Sequence, residues 1–139
     1  MTEQHTGAAH VALVLVSHSR ALAEGAAELA GQMAPGVLLV AAGGMDGGGL
    51  GTSFDAIETA LATATADGRS AVVLTDLGSA VLTTESVLEF ADDDVAARVR
   101  IADAPFVEGA VAAAVLASTG AGLAAVSSAA TEARDVRKL

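Results

Sequence analysis

Six consecutive apolar residues, Val11 to Val16, stop at Ser17, and the apolar positions that follow return only at helical intervals. A run that short and that rich in valine reads as a strand buried on both faces of a parallel sheet. Behind it, Leu22, Ala26, Leu29 and Met33 fall at spacings of four, three and four, one stripe of a helix. The alternation then repeats. Pro35-Gly36 ends the helix, Val37 to Val40 reads as a second strand, and GGMDGGGLGTS as a loop. Thr52 and Asp55 are spaced as a capping box, with Phe54, Ile57 and Leu61 as the apolar face of a second helix closed by Asp67-Gly68. Ala71 to Leu74 is a third strand, TDLGS a connection, and Ala80 to Phe90 a third helix. Val99 to Ala102 is a fourth strand, Pro105 a helix start and Ala110 to Ala117 the interior of that helix. Beyond Gly120 the pattern weakens, with Leu123, Val126 and Val136 marking a marginal terminal helix. The fold class expected is α/β: an open, mainly parallel sheet of about four strands with helices on both faces.

At 139 residues the chain is expected to form one domain, 10–139, behind a flexible tail, 1–9. That tail, MTEQHTGAA, has no basic segment and so does not resemble a secretion signal. Hydrophobic residues make up 53% of the chain and its mean hydropathy is +0.56, which raises the question of a membrane. Gly, Asp, Ser and Arg interrupt the apolar stretches well short of the roughly 20 residues a span requires, so a cytoplasmic protein is expected. The lack of cysteine removes disulfides and thiolate metal sites, and no metal is expected. A net charge of -10 with 2% aromatic residues argues against nucleic acid, because neither phosphate neutralisation nor base stacking has the residues it needs. Partner surfaces are expected to be basic or neutral.

In open α/β sheets ligands bind beyond the carboxyl ends of the strands. His18 follows the first strand, the glycine-rich loop the second and Asp76 the third, so three separate segments converge on one edge. A histidine in such a turn is often a cap or a surface residue. Near the amino end of a helix, however, unpaired N–H groups and the helix dipole favour an anion, and a neutral imidazole there is a usable nucleophile whose phosphorylated form would be stabilised. His5, in the tail, and His10, at the entry to the first strand, lack this setting. Asp76 reads either as a turn or cap residue or as the carboxylate that fixes the tautomer of His18, and the two roles are compatible. It reaches His18 if strands one and three are neighbours. The glycine loop reads either as a flexible connection or as backbone that approaches a phosphate closely, and it matches neither a P-loop nor a dinucleotide fingerprint. Gly51-Thr52 would offer N–H and hydroxyl donors to a phosphoryl group on His18. Arg20, in the first turn of a helix, is given no catalytic role.

VSHSRALAEGAAELAGQM, GGMDGGGLGTSFDAI, TDLGSAVLTTE and APFVEGAVAAAV, in this order, resemble the phosphotransferase subunits of the bacterial dihydroxyacetone kinases that use phosphoenolpyruvate instead of ATP, from about Val11 to Leu116. The broader fold resembles the IIA domain of mannose-type sugar phosphotransferase systems. There the third strand continues through a Gly-Gly-Ser/Thr-Pro turn, where this chain has Leu77-Gly78-Ser79-Ala80, which favours the dihydroxyacetone branch.

The resemblance implies a relay. The histidine matching His18 takes a phosphoryl group from HPr and passes it to ADP held on the DhaL subunit, for phosphorylation of dihydroxyacetone bound to DhaK. It implies that Asp76 orients the histidine, that Gly51-Thr52 and Gly78-Ser79 border the phosphoryl site, and that a homodimer forms. With Ser17 and Ser19 as further donors, the edge would suit in-line transfer, which depends on positioning and charge stabilisation. No cofactor is expected on the chain itself, since ADP travels on the partner subunit. Some relatives carry HPr-like and enzyme I-like domains downstream, absent from these 139 residues, so a separate HPr is the expected donor. Other functions stay open: a sugar-specific IIA protein that uses the same histidine and passes phosphate to a IIB protein, a non-enzymatic sensor of phosphorylation state, and, from the fold alone, a flavodoxin-like small-ligand module without phosphotransfer.

Overall fold

The computed structural model describes residues 10–139; the expected tail lies outside the described residues. Four strands, β1 (Val11–Ser17), β2 (Leu39–Gly43), β3 (Ser70–Thr75) and β4 (Val99–Ile101), form one sheet in the order β2-β1-β3-β4, every pair parallel. Between and after them lie α1 (Arg20–Met33), α2 (Phe54–Thr65), α3 (Gly78–Phe90), the single turn α4 (Asp93–Ala96), α5 (Phe106–Ala117) and α6 (Leu123–Glu132).

Side-chain alternation sorts the core into two layers. Val11, Leu13 and Leu15 of β1, with Val72 and Leu74 of β3, face α1, α5 and α6. Ala12, Val14 and Val16, with Ala71 and Val73, face α2 and α3. All seven residues of β1 are buried, as a central strand covered on both faces must be. The expected α/β class and helices on both faces are what the chain forms.

Several local expectations are corrected. Of the stripe read on α1, only Ala26 is buried, while Leu22, Leu29 and Met33 are 43%, 48% and 56% exposed. The helix lies on the sheet through Ala23, Ala26 and Ala30, whose small side chains permit a close approach that leucines would prevent. The second strand begins at Leu39, two residues later than expected, because its pairing with β1 sets Leu39 opposite Leu13. Thr52 does not cap α2; Ser53 does, its hydroxyl accepting from Ala56 N–H at 3.1 Å. β3, β4 and α3 differ from expectation by one or two residues at their ends, Pro105 stands just outside α5, and the turn α4 was not anticipated. Val126 is buried in α6, whereas Val136 lies beyond that helix and is exposed. None of the helices among the described residues is long and apolar enough to cross a membrane.

The sheet order decides where a site can form. The connection from β1 leads through α1 to the β2 edge and that from β3 leads through α3 to the β4 edge, so the chain departs in opposite directions from the two central strands. The carboxyl ends of β1 and β3 are therefore the topological switch point, where such sheets open a crevice.

Candidate active site

His18 leaves β1 at that switch point, and Asp76 leaves β3 beside it. The Asp76 carboxylate accepts four hydrogen bonds. Oδ2 takes the Ser17 hydroxyl and the His18 backbone N–H, each at 2.9 Å. Oδ1 takes the Leu77 N–H at 2.7 Å and faces His18 Nδ1 at 3.0 Å. The side chains of His18 and Asp76 are 24% and 11% exposed, so the pair is shielded without being sealed. Burial pushes the Asp76 carboxyl up, but the bonds from the His18 backbone and ring, the Ser17 hydroxyl and the Leu77 N–H outweigh it and hold the group below its ordinary value. An ionised carboxylate only accepts, so at neutral imidazole the proton sits on Nδ1 and Nε2 keeps its lone pair.

Nε2 points to the amino end of α3, where Ser79 Oγ lies 2.7 Å away. No side chain caps this 13-residue helix, and its first turn carries no acid. The Gly78 and Ser79 N–H groups have no hydrogen-bond partner among the described residues. Open N–H groups at a helix start, beside a nucleophilic nitrogen, are suited to hold an anion attached to that nitrogen.

The remaining residues singled out in the sequence build the frame. Ser17 is fully buried, and besides donating to Asp76 its hydroxyl accepts the Ser19 N–H at 3.0 Å. The Ser19 hydroxyl caps α1 by accepting the Leu22 N–H at 3.2 Å. Gly51 N–H is bonded to the His18 carbonyl at 2.8 Å, which ties the glycine loop to the backbone of His18. With φ at +137°, Gly51 adopts a conformation that L side chains rarely reach. The Thr52 hydroxyl lies 2.8 Å from that of Thr83 on α3 and so joins the loop to the helix that carries Ser79. His10 is exposed at the entry end of β1, far along the strand from this edge, and His5 lies outside the described residues.

Two contributors escaped the sequence reading. A Cβ at Gly43 would lie 2.5 Å from the Ser19 carbonyl oxygen and 2.8 Å from Arg20 Cα, so this glycine is what lets the start of α1, and with it His18, settle against β2. Its place at the head of a glycine run hid it, since every glycine there invited one explanation. Thr83 is the other, a mid-helix threonine with no distinguishing pattern around it. Among the described residues no cluster of His, Cys, Asp or Glu has the geometry to hold a metal ion.

A model of the family described as PTS system fructose IIA component, EIIA-man, matches residues 12–127. The chain is 43% identical over 116 residues to the PEP-dependent dihydroxyacetone kinase phosphoryl donor subunit DhaM of Klebsiella michiganensis, which covers 81% of this chain but only 25% of that protein. The chain thus spans about a quarter of that relative's length. A shorter relative from Listeria innocua, the phosphoryl donor subunit DhaM of PEP-dependent dihydroxyacetone kinase 2, is 38% identical over 106 residues, 76% of this chain and 84% of its own length. The crystal structure of a protein of unknown function, EF1359, superposes with a TM-score of 0.79 at 32% identity, over 87% of this chain and 92% of the other. Matched by the family model over most of its length, and by whole relatives as well as parts of longer ones, the chain belongs to the EIIA-man family of phosphotransferase-system IIA components.

Proposed function

We propose that the chain is a phosphohistidine carrier of a dihydroxyacetone kinase, charged at Nε2 of His18. The observation that carries this reading is the division of labour on the imidazole: Nδ1 is held by a carboxylate with four donors around it, and Nε2 faces open N–H groups at a helix start. The Nε2 lone pair forms the new bond to phosphorus while the donor nitrogen keeps the electron pair of the bond that breaks. The Nδ1 proton stays on the Asp76 side throughout. Gly78 and Ser79 contact the phosphoryl oxygens, with Thr52 close by, while Ser17, Ser19 and Gly51 hold His18 and Asp76 in register.

By its relatives' role as phosphoryl donor subunits of dihydroxyacetone kinases, the chain takes the group from HPr and delivers it to ADP on DhaL, with DhaK downstream. It acts as a cytoplasmic phosphotransferase subunit that carries the group and binds no cofactor of its own. A homodimer fits the exposed stripe of Leu22, Leu29 and Met33 on α1, and the mass in solution at micromolar concentration tests it.

The deciding experiment for the carrier is incubation with phosphoenolpyruvate, enzyme I and HPr. An acid-labile adduct is expected on the wild type and none on His18→Ala; label retained by that variant would overturn the assignment. Dihydroxyacetone-dependent loss of the label, requiring DhaL, ADP and DhaK, is the expected second step. Loss to a sugar-specific IIB protein instead, or no loss at all, would replace the kinase reading by a sugar transporter component or a sensor.

A further inference from the structure

Nδ1 and Nε2 of His18 are both engaged, but with partners of opposite kind. Nδ1 meets a carboxylate, which fixes the proton there, so the 2.7 Å contact at Nε2 has one direction: the Ser79 hydroxyl donates and the ring nitrogen accepts. The uncharged site is therefore not an open nucleophile. Its lone pair is already occupied by a hydrogen bond shorter than the one at Nδ1, and a phosphorus atom attached to Nε2 must lie along that same lone-pair direction, inside the distance at which Oγ now stands.

From this we propose that Ser79 is a two-position catalytic residue: its hydroxyl caps the Nε2 lone pair in the uncharged protein and swings onto a phosphoryl oxygen when His18 is charged. The second position rests on the carrier reading above; the cap does not. The frame around Ser79 permits a movement confined to the hydroxyl. Its carbonyl accepts the Thr83 hydroxyl at 3.2 Å, and Thr83 is in turn 2.8 Å from Thr52, so the backbone of this turn is tied to the glycine loop while the side chain is free to rotate about Cα–Cβ. One hydroxyl thus shields the nitrogen before transfer and, without movement of the helix, meets the charge that arrives. The transfer itself is unchanged in its balance: the Nε2 lone pair, released by Ser79, bonds phosphorus, the donor nitrogen retains its pair, and the hydroxyl proton moves with Ser79 from the ring nitrogen to a phosphoryl oxygen as a hydrogen bond only.

The test uses the full chain labelled with ¹⁵N in histidine and kept alkaline enough for the imidazole to be neutral. The wild-type His18 spectrum should show a protonated Nδ1 and an unprotonated Nε2 displaced toward the protonated range by an accepted hydrogen bond. Ser79→Ala should move Nε2 to the position of a bare lone pair with Nδ1 unchanged, and Ser79→Thr, which restores a hydroxyl, should return it. Equilibration with phosphorylated HPr supplies the second readout. The charging equilibrium constant should fall about fivefold in Ser79→Ala, because the variant loses the weaker cap on Nε2 as well as the stronger bond to the charged phosphoryl group and only their difference is read, and it should stay near wild type in Ser79→Thr. A proton found on Nε2, or an Nε2 resonance indifferent to Ser79→Ala, overturns the cap. An Ala variant that charges as fully as the wild type overturns the second position. Failure of the wild type to take label from HPr removes the carrier reading and the second position with it, and leaves the nitrogen spectrum to decide the cap by itself.

Discussion

Replacing Asp76 by Asn keeps the shape of the side chain and removes half of what it does. The carboxylate presents two acceptor atoms to four donors, at 2.7 to 3.0 Å. An amide presents one acceptor and one donor, and both of its orientations fail at a backbone group that cannot turn away. With its oxygen toward Nδ1 and Leu77, the amide nitrogen meets the Ser17 hydroxyl, which can rotate and accept, and the His18 N–H, which cannot. With its oxygen toward Ser17 and His18, the nitrogen meets the Leu77 N–H and forces Nδ1 to become an acceptor, so the ring proton moves to Nε2 and the nucleophile is lost. The second orientation orphans the exposed Leu77 N–H, which water can reach, whereas the first orphans the part-buried His18 N–H at a cost of about 1–3 kcal/mol. For a chain of this size that is a fall of about 3–12 °C in the unfolding midpoint. Phosphoryl transfer onto His18 should slow by on the order of 10²-fold or more, through the wrong tautomer in one orientation and the missing negative charge in both. Single-turnover transfer from phosphorylated HPr, alongside thermal unfolding of the same preparations, measures the two effects. A turn residue exchanges Asp for Asn almost freely. An Asn variant with the wild-type midpoint and rate would therefore show that the four-donor carboxylate is not what holds His18.

Gly43→Ala should lower the unfolding midpoint, because overpacking against the Ser19 carbonyl and Arg20 Cα costs about 1–3 kcal/mol, and should slow transfer too, since the displaced turn carries His18. Gly25→Ala is the contrasting case: Gly25 is exposed within α1 with nothing within 4 Å of a new Cβ, so the variant should gain about 0.5–1 kcal/mol and unfold at a higher temperature. The folded-state pKa of Asp76 is depressed, so its ionisation adds stability that is complete above its ordinary value of 3.8 and is lost as pH falls through the lower folded value. Acid titration of the unfolding free energy should accordingly be steeper below that pH for the wild type than for Asp76→Ala; parallel acid limbs would refute this.

The fold class, and the sheet edge at which His18, the glycine loop and Asp76 meet, are legible in the residues alone. A valine-rich run such as Val11 to Val16 has few solutions other than a central parallel strand, and three strand-like runs followed by His18, a glycine loop and Asp76 bring those segments to one side of a parallel sheet whatever the strand order. Strand order itself is not a local property. That β1 and β3 are neighbours, which turns two strand-end residues into a hydrogen-bonded pair, follows from which helices cover which face, and so does the choice of alanines over leucines as the buried stripe of α1. The hydroxyls divided in the same way. Ser17, Ser19, Thr52 and Ser79 look alike in the sequence, each a small donor near the edge. It takes the folded chain to separate the one that braces Asp76, the one that caps α1, the one that joins the loop to α3 and the one that meets Nε2, because a hydroxyl's role is fixed by the atom it faces, and three of these four face an atom at least 31 residues away.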